Sequence, residues 1–208
     1  MLSIGFSSPA YSYDSRDCWD GYVKALETDQ NYENAIKICK PLAQNGGTWA
    51  QATMTSIYYY TENYKEALKW GIKAAEQGDA SSQLKVGLMY ELGQGVLKNY
   101  KEAVKWYRKS AEQDNVAALN NMGLMYELGR GVLKNYQVSA NWYSRAADEG
   151  SATAQMNLGI YYCEGSGVKK DLSIAKRLLL MAYESGKLSS GQQGMVERIW
   201  ERCNLANY

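Results

Sequence analysis

The stretch GLMYELGQGVLKNY at residues 87–100 returns as GLMYELGRGVLKNY at residues 123–136, a step of 36 residues. Downstream of each copy, Trp106 and Tyr107 are matched by Trp142 and Tyr143. A third, more diverged copy keeps Gly159, Tyr162, Gly165, Gly167 and Val168 in register. Its Ala175 stands where the first copy has Ala103 and the second has Ser139. A fixed period of this size means stacked supersecondary units, since one such unit cannot bury its apolar face without a neighbour.

Upstream the period shortens to 32: Asn63, Tyr64 and Ala67 match Asn31, Tyr32 and Ala35, and Ser82 and Gln83 align with Ala50 and Gln51. The four missing residues are the glycine connector, because YYYTENY at 58–64 stands where residues 90–100 carry Gly93 and Gly95. Each unit reads as helix, loop, helix. Helix A is expected at 80–92, 116–128 and 152–164, and helix B at 100–113, 136–149 and 172–185. In helix B, Ala103, Trp106, Tyr107, Ser110 and Ala111 fall at helical spacing. Gly93 and Gly95 suit a tight connector at positive φ. Gly78, Gly150 and Gly186 sit just past helix ends, where a left-handed cap is wanted, and Asp79 and Ser151 can cap the next helix. The result is five helix pairs, at 15–46, 47–78, 79–114, 115–150 and 151–186, with an amphipathic helix at about 190–204 to cover the exposed end.

The run G-x-x-Y-x-x-G-x-G-V followed by A-x-x-W-Y-x-x-x-A resembles Sel-1-like repeats, relatives of tetratricopeptide repeats. Gly87, Tyr90, Gly93, Gly95, Val96, Ala103, Trp106, Tyr107 and Ala111 carry it in the first copy. The second copy has Ser139 in place of the first Ala, and the third has Leu178 where Trp is expected. The resemblance is strong over 79–186 and weaker over 15–78, whose shorter units look more tetratricopeptide-like. It implies an all-α, α/α superhelical solenoid of about five helix-turn-helix repeats plus a C-terminal capping helix. One continuous domain would hold two short repeats at 15–78, three 36-residue repeats at 79–186 and a cap and tail at 187–208, after a leader at 1–14. The resemblance also implies an adaptor, scaffold or inhibitor role, with A helices lining a concave face. Some bacterial members are periplasmic or secreted, and some are immunity proteins that block toxic effectors such as phospholipases. The family has no common catalytic residues to carry over.

Composition narrows the function from another side. Lys plus Arg number 23 against 22 Asp plus Glu, which gives no electrostatic reason to expect nucleic acid or an anionic membrane. No apolar run approaches the ~18 residues of a membrane span. The sequence holds no histidine, which removes Ser–His–Asp triads, Cys–His pairs and imidazole metal sites. No cofactor is expected. The connectors Gly93-Gln94-Gly95 and Gly129-Arg130-Gly131 lack the Gly-Lys-Ser/Thr of a phosphate cradle. Ser166 between Gly165 and Gly167 falls at the same connector position and has no His to activate it. The leader MLSIGFSSPAYSY at 1–13 has no basic start, yet Ser8-Pro9-Ala10 places small residues where a signal peptidase cuts. Residues 1–10 are the tail of a longer signal peptide or an unstructured leader.

A protein partner is therefore expected. On a tetratricopeptide-like superhelix the inward positions of the A helices fall near Trp49, Ala52, Ser56 and Tyr59, then Leu84, Leu88 and Glu91, then Asn120, Leu124 and Glu127, then Met156, Ile160 and Cys163. Leu88, Leu124 and Ile160 would form an apolar stripe able to anchor a partner segment, or be buried between adjacent helices. Tyr59 and Tyr60 replace a glycine connector and suit either partner binding or local packing. The four cysteines make no C-x-x-C pair. Cys18 and Cys39 lie in the two helices of the first hairpin. Its turn near residue 30 puts the antiparallel partner of residue 18 around residue 42, so a bridge is geometrically possible. Cys163 and Cys203 can tie the last repeat to the cap, though in poorer register. An even count fits an oxidising compartment, and four buried thiols are the alternative. The specific expectation is a non-enzymatic periplasmic or secreted immunity protein that neutralises a secreted effector toxin. A general adaptor or scaffold of an envelope or signalling complex is the rival, and the cytoplasm is the alternative location. A cell-wall hydrolase using Glu91 and Glu127 as acid and base is a remote third, since repetition of the whole segment already explains both residues.

Overall fold

A computed structural model describes residues 18–24 and 32–207. The leader at 1–14, with its signal-remnant reading, and the hairpin turn near residue 30 lie outside the described residues. The chain divides into two compact units, Met1–Leu97 and Lys98–Tyr208. The boundary falls in the connector of the 79–114 repeat, between its two helices.

The N-terminal unit holds a helical stretch at 18–24 (α1), then α2 (Glu33–Gln44), α3 (Thr48–Tyr60), α4 (Tyr64–Glu76) and α5 (Ala80–Leu92). The C-terminal unit holds α6 (Tyr100–Ala111), α7 (Val116–Leu128), α8 (Tyr136–Asp148), α9 (Ala152–Glu164), α10 (Leu172–Glu184) and α11 (Ser190–Arg202). A short 3-10 turn, Leu205–Asn207, follows. No strand occurs among the described residues. The fold is an all-α solenoid of helix pairs closed by α11, whose N-terminus carries a capping box between Ser189 and Gln192.

Local chemistry sets the helix limits. Asp79, Asn115 and Ser151 cap the A helices α5, α7 and α9, each accepting a backbone N–H from three residues on. Asn99, Asn135 and Asp171 do the same for the B helices. Gly93, Gly129 and Gly165 end the A helices in left-handed geometry. The second glycine of each connector has a further duty. A Cβ on Gly131 would collide with the Tyr100 carbonyl, and one on Gly167 with the Tyr136 carbonyl, so the connector lies directly on the N-terminus of the preceding B helix. Asp114 takes the left-handed position, φ 55°, that Gly150 and Gly186 fill one and two repeats later. Arg145 pairs with its carboxylate at 2.7 Å.

The two cores are packed from small and large residues in alternation. Around Cys18 and Cys39 the N-terminal core gathers Ala35, Ala43, Met54, Ile57 and Trp70. In the C-terminal unit Tyr107 and Tyr143 are among the largest fully buried side chains. Cys18 is joined to Cys39 with Cα atoms 4.8 Å apart. Cys163 is joined to Cys203 with Cα atoms 6.1 Å apart, which ties α9 to the end of the capping helix despite the poorer register read from sequence.

Candidate functional site

In the N-terminal unit the A-helix face is aromatic and open. Tyr59 and Tyr60 are the last two residues of α3, not members of the connector as the sequence alignment placed them. The connector is Thr61, Glu62 at φ 58°, and Asn63, whose side chain caps α4. Tyr60 is 62% exposed. The Tyr59 ring stands edge-on to Tyr60 at 6.5 Å and to Tyr64 at 5.5 Å. Its phenol is pushed up by burial, then by Tyr64, while a hydrogen bond with Gln94 opposes the shift. Trp49 is half-buried and lies 5.3 Å from Trp19, which is 46% exposed and 5.5 Å from Tyr22. The Tyr22 phenol is pushed up to about 12, first by burial and then by the neighbouring Tyr60 and Tyr32, with a hydrogen bond to Ser56 working against them.

This face also carries a cation. Lys85, half-buried on α5, donates from Nζ to Ser56 Oγ at 3.0 Å. Ser56 in turn donates to the Ala52 carbonyl at 3.1 Å. Burial pulls the Lys85 pKa down, and Asp79 pulls the other way. Leu88 and Glu91 on the same helix are half-buried.

The corresponding polar side chains Asn120 and Glu127 of the C-terminal unit are spent internally, while Leu128, in register with Tyr60, stays exposed. Asn120 Nδ2 donates to the Val116 carbonyl at 2.9 Å and to Ser151 Oγ at 2.8 Å, pinning α7 to the cap of α9. Glu127 Oε2 accepts from the Tyr143 hydroxyl at 2.8 Å. Burial raises the Tyr143 phenol far above its ordinary value, and Glu127 adds to the rise. Tyr161 lies 5.8 Å from Tyr143, ring to ring, and its hydroxyl is 3.0 Å from Ser139 Oγ, which donates to the Gly123 carbonyl at 2.7 Å. Leu124 and Ile160 are half-buried, and Ile160 packs against the core around Met156 and Leu179. Met156 and Cys163, expected on the inward face, are instead buried in that core, Cys163 through its bond to Cys203.

Trp49, Ser56, Tyr59 and Tyr60 thus share the N-terminal unit with Leu88 and Glu91, while Asn120, Leu124, Glu127 and Ile160 belong to the C-terminal unit. Leu88, Leu124 and Ile160 are half-buried, between the open stripe and the buried alternative. Sequence reasoning missed Trp19, Tyr22 and Lys85. Trp19 and Tyr22 lie in the first short repeat, at 15–46, where no glycine connector marks which face is which. Lys85 left a signal: Asn121 and Asn157 hold its position in the next two repeats.

The Sel1 repeat family model matches residues 54–79, 80–115, 116–151 and 152–187. Part of the shorter unit at 47–78 therefore falls within the same repeat family as the three longer ones. No curated protein matches the chain. Among solved structures, a protective antigen of uropathogenic Escherichia coli strains, described as displaying an SLR fold, aligns at 31% identity with a TM-score of 0.77 over 83% of this chain. The chain spans 38% of that antigen's length. A Sel1 repeat protein from Oxalobacter formigenes aligns at 37% identity with a TM-score of 0.72, covering 82% of this chain and 71% of the other.

Proposed function

The chain belongs to the Sel1 repeat family, and from that premise we propose that it is a non-enzymatic binding protein whose protein partner docks on the A-helix face of the N-terminal unit. The observation that carries this is the exposed aromatic patch. Tyr60 and Trp19 stay largely in solvent, at 62% and 46% exposure, while Tyr107 and Tyr143 of the repeat framework are buried. Tyr and Trp supply large contact area at low entropic cost and dominate binding hot spots. Trp49, Ser56, Tyr59, Leu88 and Glu91 complete the dock.

Two disulfides favour work in an oxidising compartment, the periplasm or the exterior. In that setting the habits of the family favour an immunity or inhibitor protein that neutralises a secreted effector such as a phospholipase. The test is affinity purification of the tagged chain from its native host at near-physiological salt, with mass spectrometry of what co-purifies. One stoichiometric partner whose toxic or lipolytic activity falls silent on binding is the expected result. Several substoichiometric envelope or signalling proteins would replace the inhibitor with an adaptor, and the absence of any protein partner would overturn the binding function itself.

A further inference from the structure

Resting on that dock, we propose that Lys85 is its polar anchor and receives a carboxylate of the partner, an Asp or Glu side chain set among apolar residues that the surrounding rings cover. Three observations converge on this. The first is the departure from register, since the next two repeats place the neutral amides Asn121 and Asn157 at this position and the preceding one a neutral Thr53. Asn157 is used internally, as a hydrogen-bond partner of Tyr143. A lysine cannot accept a hydrogen bond and so cannot replace an amide in full.

The second is the unmet charge. Lys85 makes no salt bridge among the described residues. Its neighbours one helical turn away on either side are Ser81, Ser82, Leu88 and Met89, none of them acidic, and Asp79 at the N-cap of α5 offsets the burial of its charge only in part. An ammonium carries three donors, and Ser56 takes one. The lowered pKa agrees with a cation that burial has stripped of water without full compensation.

The third is the enclosure. Ser56 links Lys85 to Tyr22, and Tyr22 is close enough to Tyr60 for the two phenols to interact. Tyr59, Tyr60 and Trp19 extend the apolar surface beyond the cation. Rings on this scale exclude water from a docked segment, and in such a site a single charge pair is strong and selective. The raised phenols of Tyr22 and Tyr59 stay neutral at physiological pH, so they do not compete for the ammonium. A carboxylate matches the single positive charge of this site.

The probe is a random-peptide phage library selected on the full chain. The selected peptides should carry an Asp or Glu flanked by apolar or aromatic residues. K85Q should weaken them about tenfold or more, as expected for a partly desolvated charge pair, while K85R keeps most of the affinity. Changing the peptide's acid to its amide should cost the same, and should cost nothing further on K85Q, because the two changes remove one interaction. K85M, which keeps the aliphatic stem, checks the result if K85Q lowers the melting temperature. Peptides lacking an acid, equal affinity for wild type and K85Q, or no enriched peptide would each overturn the inference. Peptides lost on Tyr60→Ala but indifferent to K85Q would remove the anchor and leave the dock, whose own failure is read separately in the host purification.

Discussion

The A helices of the two units share a register and use it differently. Tyr59 and Tyr60 of α3 stand where α7 has Glu127 and Leu128, and Lys85 of α5 stands where α9 has Asn157. In the C-terminal unit Glu127 and Asn157 close a network with Tyr143, Tyr161 and Ser139, while Leu128 stays exposed as an aliphatic side chain. In the N-terminal unit they leave an exposed tyrosine and an ammonium whose one hydrogen bond goes to Ser56 and which has no salt bridge among the described residues. The lesson is physical. A repeat needs only a few positions to hold its neighbour, and a polar group at any other position is either consumed by the framework or free for a partner.

The largest expected effect tests the consumed side. Tyr143 is 1% exposed, and Tyr143→Ala should destabilise the protein by about 3–5 kcal/mol in denaturant unfolding, because it opens a cavity and orphans Glu127. Tyr60→Ala should cost under about 1 kcal/mol, as an exposed substitution. If the two cost the same, the aromatic patch is core and the contrast collapses.

The disulfides come next. Cys18–Cys39 closes a separation of 21 residues and Cys163–Cys203 one of 40. Loop entropy makes each worth about 3–4 kcal/mol. The consequences should differ between the units. Replacing Cys163 and Cys203 by Ser should speed hydrogen exchange in α11 and leave partner affinity intact. Replacing Cys18 and Cys39 should loosen α1, and with it Trp19 and Tyr22, and so weaken partner binding as well.

A smaller and sharper effect concerns binding alone. The double change of Tyr59 and Tyr60 to Ala should weaken the partner by about 2 kcal/mol or more in titration calorimetry, the size of a hot spot. Leu128→Ala, at the matching position of the C-terminal unit, should leave affinity unchanged. An equal loss from both would spread the dock beyond the aromatic face.

Helices were the most legible feature, and the open site the least. The A-helix limits at 80–92, 116–128 and 152–164 are those observed, because a glycine and a capping residue punctuate each copy. The B helices end one or two residues early, and α6 stops at Ala111, where Asp114 replaces the usual glycine. The site was harder because face assignment depends on neighbours. Asn120 and Glu127 fall at inward positions, yet their partners Ser151 and Tyr143 lie 31 and 16 residues away in sequence. Tyr161 occupies the buried position held by Met89 and Met125 in the earlier repeats. Aligning it to those methionines shows its role.

The smallest effect is silent at neutral pH and separates the units in alkali. The Tyr22 phenol stands at about 12 in the folded chain, against an ordinary value of 10.0. A group raised on folding contributes stability that is intact below its unfolded pKa and is lost as pH climbs through the folded one. Tyr22 should therefore cost the N-terminal unit stability between about pH 10 and 12. Lys85 has the opposite sign: its pKa is lowered on folding, so its contribution rises with pH up to its ordinary value of 10.5 and does not offset the tyrosine above that. Tyr143 and Tyr161 are raised further, by burial first and with Glu127 adding to the rise, so they stay protonated until their unit unfolds. Near-ultraviolet absorbance during an alkaline titration should show a gradual tyrosinate signal and then a cooperative step. Tyr22→Phe should trim the gradual part and leave the step, whereas Tyr143→Phe should shrink the step itself. A tyrosinate signal from Tyr143 before unfolding would show the C-terminal network to be as open as the N-terminal face, and the division of labour between the two units would fall with it.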